Sequence, residues 1–187
     1  MTHLDHLIPH PDHQEHHHID LDCDQQTAYQ AARHLDFNSS KLIRRLFALR
    51  RLDFDSLTID AMTSDGSFAI IHENPPHEYV IGHGQRFDAD ADADADSGSS
   101  SGSSSNSFEN TTVGHGLAIG WNFATEPLGD DRTRLSTETR VSCYGTVTRW
   151  LFKPYWLIVR PFSGIVRKEM LKAAAEAVAD DQAAGRR

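Results

Sequence analysis

The chain has 187 residues and a mass of 20.9 kDa, which suits one domain and leaves little room for two. With 39% hydrophobic and 24% charged residues it can bury a core, which excludes wholesale disorder. Acids outnumber bases 27 to 18, and a net charge of -9 repels phosphate backbones, which excludes a general nucleic-acid binder.

Seven of the twelve histidines fall in the first eighteen residues: His3, His6, His10, His13, His16, His17 and His18. Imidazoles at that density bind divalent transition metals loosely, but a specific site needs fixed geometry. Composition therefore predicts a polar, His-rich disordered tail over 1–18, with no metal site. Met1–Pro11 lacks a cationic start and a long apolar run, so no secretory signal is expected and the protein reads as cytoplasmic.

From Ile19 the pattern changes. Ile19, Leu21 and Cys23 alternate with aspartates, which is the period of a half-buried strand. Asp24 stands at an N-cap position ahead of a helix over Gln25–Leu35, with Ala28, Ala31, Ala32 and Leu35 at helical spacing. Asn38-Ser39-Ser40 caps a second helix, KLIRRLFALRRL, whose Leu42, Ile43, Leu46, Phe47 and Leu49 form an apolar stripe. Strands are predicted over Leu57–Met62, Phe68–Glu73 and Glu78–Phe87, separated by turns at Asp65-Gly66 and Asn74-Pro75-Pro76.

Residues 88–107 read DADADADAD followed by SGSSSGSSSNS. Such a run buries no apolar area to offset chain entropy, so it predicts a disordered, self-repelling insertion between two strands. The EF-hand spacing is missing, which argues against a calcium site. Beyond it, Gly116–Thr125 and Thr133–Tyr144 predict a hairpin with Phe123 opposite Leu135 and Trp121 opposite Thr137. Asn122, Glu126, Glu138 and Arg140 fall on its other face, where Glu138 and Arg140 are expected to make a surface ion pair. The remainder is helical from Thr146, kinked or divided by Pro154 and Pro161, with Ser163 capping a last segment and residues 180–187 fraying.

The order of these elements resembles that of the START-like helix-grip fold. The segments FATEPLGDDRTRLSTETRV (Phe123–Val141) and RPFSGIVRKEML (Arg160–Leu171) resemble uncharacterised members of the SRPBCC superfamily. The resemblance spans Ile19–Ala179 apart from the insertion. It implies an α+β fold: a curved antiparallel sheet of about six strands wrapped around a long C-terminal helix, with two short helices after the first strand. It also implies a cavity between sheet and helix that holds an apolar or amphipathic small molecule.

Trp150, Phe152, Tyr155, Trp156 and Phe162 place five of the sixteen aromatic residues within thirteen positions. Rings of this size favour offset stacking and suit an apolar ligand, or else they fill a core. The candidate ligand-binding set is Trp121, Phe123, Trp150, Tyr155, Trp156, Arg160 and Arg167. The two arginines are there to hold a carboxylate or phosphate, unless they pair with neighbouring acids. The expected partner is a small hydrophobic molecule. The first alternative is a cyclase- or dehydratase-type enzyme using a carboxylate or one of His72, His77, His83 and His115. The second is an interaction protein without a functional cavity. Cys23 and Cys143 read as buried, inert thiols. No nucleotide-binding loop, GxSxG elbow, HExxH helix or membrane-spanning run occurs, so no cofactor and no membrane span are expected.

Deleting residues 88–107 and bridging the gap with a short turn should leave the fold intact. Thermal melts at low and high salt check this; a large loss of stability at high salt would show that the insertion is structural.

Overall fold

The computed structural model describes residues 2–35, 68–86 and 116–185. The elements are α1 (His3–Leu7), β1 (His13–Leu21), α2 (Gln25–Arg33), β2 (Ala69–Asn74), β3 (Glu78–Arg86), β4 (Gly116–Gly129), β5 (Arg132–Tyr144) and α3 (Thr146–Gly185). The five strands form one antiparallel sheet in the order β1-β5-β4-β3-β2. Both α2 and α3 lie across its inner face, giving the α+β helix-grip arrangement, while α1 lies on the outer face. The second short helix, the strand over Leu57–Met62, the insertion at 88–107 and His115 lie outside the described residues.

Strand parity assigns the faces. Odd positions of β1, β3, β4 and β5 point inward. Leu21, Leu135, Phe123, Trp121, Ile81 and Tyr79 thereby meet Ala28, Tyr29 and Ala32 of α2 and Met170, Leu171, Ala174 and Val178 of α3 in the main core. A second inner cluster joins Val141, Cys143 and Trp156, with Leu117, Ile119 and Phe152 beside them. The Asp24 side chain caps α2 as its position predicts, accepting the Thr27 amide hydrogen at 3.0 Å.

The N-terminal segment is not a tail. His13–Leu21 is the edge strand of the sheet, in register from His13 opposite Val141 to Leu21 opposite Thr133. The strand begins six residues before Ile19 because backbone pairing needs no apolar side chain. Its inward positions His13, Glu15 and His17 are polar and conceal the alternation. Before it, α1 is closed by a reciprocal capping box between Thr2 and Asp5. It seats Leu4 and Ile8, which are fully buried, against the outer face. Gly120 makes that approach possible, since a Cβ there would lie 2.8 Å from Leu4 Cδ1.

The cover provided by α1 also overturns the expected surface ion pair. Asn122, Glu138 and Arg140 are buried beneath it, whereas Glu126 is exposed as predicted. Arg140 donates to Glu138 Oε1 at 2.6 Å, to the Ile8 carbonyl at 2.9 Å and to the Asp5 carboxylate. Gln14 donates to Glu138 at 2.6 Å, and Asn122 donates to Glu78 at 2.7 Å. Charges taken from water are tolerable only when paired in this way, and removing one partner is costly.

The hairpin is displaced by two residues from the predicted register: Phe123 faces Thr137 and Trp121 faces Thr139. A shift of two preserves which side chains point inward, so hydrophobic patterning cannot distinguish the two registers. The turn decides. The strands run on through Pro127, with an irregularity before Gly129, to a tight reversal at Asp130-Asp131 where Asp131 has φ 53°.

α3 is one helix of 40 residues rather than two, continuing to Gly185 through the region expected to fray. Pro154 and Pro161 lie within it, seven positions apart on its exposed side. Each removes one backbone bond there, and packing of the opposite side against the sheet holds the helix together.

Replacing Leu4 with alanine should lower stability by about 2–4 kcal/mol, the usual cost of emptying a buried leucine site. Replacing exposed His6 of the same helix should change it by less than about 0.5 kcal/mol. Urea denaturation of both variants checks this; two negligible effects would return α1 to a tail.

Candidate functional site

Between the two apolar clusters of the inner face runs a polar band. Glu15 and His17 come from β1, and their cross-strand partners Thr139 and Thr137 come from β5. Trp121 of β4 lies beyond Thr139, and Arg167 descends from α3 onto that ring. Period-2 alternation places all of the strand residues on one face, and only their polarity interrupts the core.

Within the band, Glu15 Oε1 stands 3.5 Å from His17 Nε2. Gly164 of α3 leaves room for this carboxylate, since a Cβ at that position would lie 2.8 Å from Glu15 Oε1. The Arg167 guanidinium lies 4.9 Å from the centre of the Trp121 ring and donates weakly to Met170 Sδ at 3.7 Å. No carboxylate lies within ion-pair distance of it among the described residues. Burial pulls its pKa down to about 10, opposed by Glu15 and Tyr79, so the group stays charged at neutral pH.

Several buried polar atoms here lack a hydrogen-bond partner: Glu15 Oε2, His17 Nε2, Thr139 Oγ1 and, toward the far end, His13 Nε2. Thr137 by contrast is satisfied, donating to the Asn122 carbonyl at 2.8 Å. The His13 ring stacks on Trp156 with centroids 5.1 Å apart. Burial holds its pKa below the ordinary imidazole value, Lys153 and Arg160 push the same way, and Asp12 opposes them.

The structure divides the seven predicted site residues. Trp121 and Arg167 belong to the band, and Trp156 closes one end of it against His13. Phe123 faces inward but fills the core, stacked on Tyr79 at 5.3 Å. Trp150 is 74% exposed and Tyr155 50%, so neither ring is shielded by the sheet, and Arg160 is exposed as well. The reason is helical phase. At 100° per residue Phe152 and Trp156 turn toward the strands, which points Trp150 away. Among the described residues Arg167 makes no ion pair with an acid. Of the candidate histidines, His72 stacks on His3 on the outer face at 3.8 Å, and His77 contacts Gln25 Nε2 at 3.0 Å. His83 of β3 contacts Phe68, and β3 lies three strand positions from β1, which carries Glu15. Cys23 and Cys143 are buried, and burial raises both thiols to about 11, as expected of inert cysteines.

His13, Glu15 and His17 were missed as site residues because they lie in the segment read as a tail. The available signal was their i, i+2 spacing, running in phase with Ile19 and Leu21. Among the described residues no group of histidine, cysteine, aspartate and glutamate side chains could hold a metal ion.

No protein-family model matches the chain, and neither does any curated protein. A search of solved structures finds a conserved protein from Geobacillus kaustophilus, 9% identical, covering 90% of this chain and 96% of that one at a TM-score of 0.45. A protein from Thermus thermophilus is 8% identical, with 90% and 99% covered and a TM-score of 0.34.

The lowered imidazoles give a signed pH dependence. His13 is held down by burial, and so is His3, with His72 adding to the effect. A histidine that binds its proton more readily when unfolded costs stability as pH falls through its unfolded value of about 6.5. The melting temperature should therefore drop between about pH 7 and pH 5, before the aspartates of lowered pKa begin to protonate. His13→Phe, which keeps the stack on Trp156, should flatten that limb. A melting temperature that rises on acidification would contradict the assignment.

Proposed function

We propose that the protein binds a small amphipathic molecule between the inner face of the sheet and α3. The polar group of that molecule meets Arg167, His17 and Thr139, and its apolar part lies toward Trp121 and Trp156. One observation carries this reading: buried polar atoms without hydrogen-bond partners share the strand face under α3 with a guanidinium that makes no ion pair among the described residues. Each unsatisfied buried group costs about 1–3 kcal/mol, a cost that a bound polar group removes. Arginine beside an aromatic ring favours a planar anion, so a carboxylate is the head group proposed. An apolar or amphipathic ligand is also what the resemblance to the SRPBCC superfamily implies.

The contact between Glu15 and His17 supports a second reading, in which the pair moves a proton on the bound molecule. Native mass spectrometry tests the first reading directly, through a small molecule that co-purifies with the protein. Titration with a fluorescent fatty acid and its alcohol analogue should show tighter binding of the acid. Arg167→Met should weaken the acid about tenfold or more and leave the alcohol nearly unchanged. Thr139→Val, which preserves volume, checks that the loss is not one of packing. Empty protein together with no binding of either probe would overturn the proposal, and recovery of a chemically altered probe would favour the second reading.

A further inference from the structure

The outer side of α3 changes character along its length. At 100° per residue, Val147, Trp150, Leu151, Ile158 and Ile165 form one stripe opposite the sheet-facing side, about 27 Å long. Trp150 and Ile158 are 74% and 70% exposed, and Leu157 at the edge of the stripe is 75% exposed. Beyond Ile165 the same side carries Lys168, Lys172 and Glu176, an ordinary solvated face. The first half of the helix is thus apolar both toward the sheet and away from it, while the second half is apolar only toward the sheet.

Charge distinguishes this half as well. Residues 146–167 hold Arg149, Lys153, Arg160 and Arg167 and no acid, in a chain of net charge -9. Arg167 turns inward and Arg149 is engaged by Asp12 at 2.8 Å. Lys153 and Arg160, seven positions apart, are exposed on the flank between the stripe and the sheet-facing side, close enough to His13 of β1 to act on it.

We propose that the first half of α3 docks on an anionic lipid surface, lying in the plane of the headgroups. An exposed apolar stripe with tryptophan, edged by basic residues, has the composition of an interfacial helix. The two prolines remove the amide partners of the Trp150 and Leu157 carbonyls on this side. Those carbonyls need water or headgroups, which keeps the helix at the interface and out of the hydrocarbon. No helix among the described residues is long and apolar enough to cross a membrane. The acidic remainder of the chain does not prevent docking, because charge is screened within about 8 Å at physiological salt. A second copy fits less well, since a two-fold contact sets identical surfaces together and brings the two basic edges near each other. The stripe lies opposite the polar band, so this proposal stands whether or not a ligand binds inside.

Sedimentation of the full chain with phosphatidylcholine vesicles, with and without phosphatidylserine, tests it. Binding should require phosphatidylserine and weaken as salt is raised. The double variant W150S/I158S should lose at least about tenfold in binding with an unchanged melting temperature, because both side chains point outward. K153Q/R160Q, a surface change that leaves the apolar stripe intact, should lose roughly tenfold to thirtyfold on the same vesicles. Wild-type protein that stays in the supernatant with both vesicles, or that binds no better than either variant, would overturn the proposal. A dimeric mass for wild type that becomes monomeric in W150S/I158S would overturn it too, assigning the stripe to a second copy.

Discussion

Pairing of β1 along the edge of β5 is the contact on which the rest of the molecule depends. It is nine residues long and antiparallel, from His13 opposite Val141 to Leu21 opposite Thr133. Backbone hydrogen bonds, not apolar burial, define most of it, since the inward side chains of His13, Glu15 and His17 are polar. Those bonds hold Glu15 and His17 on the inner face beneath α3, where Gly164 leaves space for the carboxylate. On the outer face the same strand supplies Gln14 to Glu138, and the chain preceding it brings α1 over Arg140. Loss of this pairing would remove the polar band from one side of the sheet and α1 from the other.

The two faces of the sheet handle buried polarity in opposite ways. Beneath α1 the buried charges have partners: Arg140 with Glu138 and Asp5, and Glu78 with Asn122 and the His3 amide. A network satisfied to that degree positions an element and needs nothing further. Beneath α3 the carboxylate of Glu15, the ring of His17 and the hydroxyl of Thr139 retain unsatisfied atoms, and Arg167 rests on an aromatic ring instead of an acid. That contrast, within one sheet and under the same packing rules, favours the inner band as the place where another molecule completes the structure. The other side of the same helix presents its own incomplete surface, apolar and edged with positive charge. α3 therefore joins the two proposed contacts, one on each side of its first half.

Much of the fold was legible where side-chain pattern and backbone geometry agree. Asp24 caps the helix it was expected to cap, and β2, β3, β4 and β5 lie where alternation placed them. The inward set of the hairpin was right even though its register was displaced by two, because parity survives such a shift and the turn at Asp131 does not announce itself in hydropathy. What escaped was the first half of β1, whose inner face is polar. His13, Glu15 and His17 alternate as a strand must, yet polar residues on both faces look the same as a tail. The same blindness cost the candidate site its β1 residues. On α3 the aromatic cluster was visible, but a helix apolar on both sides does not reveal by composition which side the sheet takes. Of the rings placed together in the candidate set, Trp156 lies in the interior, whereas Trp150 and Tyr155 are exposed.

Amide hydrogen exchange over residues 13–21 in the full chain is the most direct measurement of the central claim. A paired edge strand predicts strong protection at alternate positions, those whose N–H groups bond to β5, and fast exchange at the positions between them. Uniform exchange at the rate of an unstructured peptide across the His-rich segment would contradict the account. It would remove Glu15 and His17 from the interior and leave Arg167 without the band proposed around it.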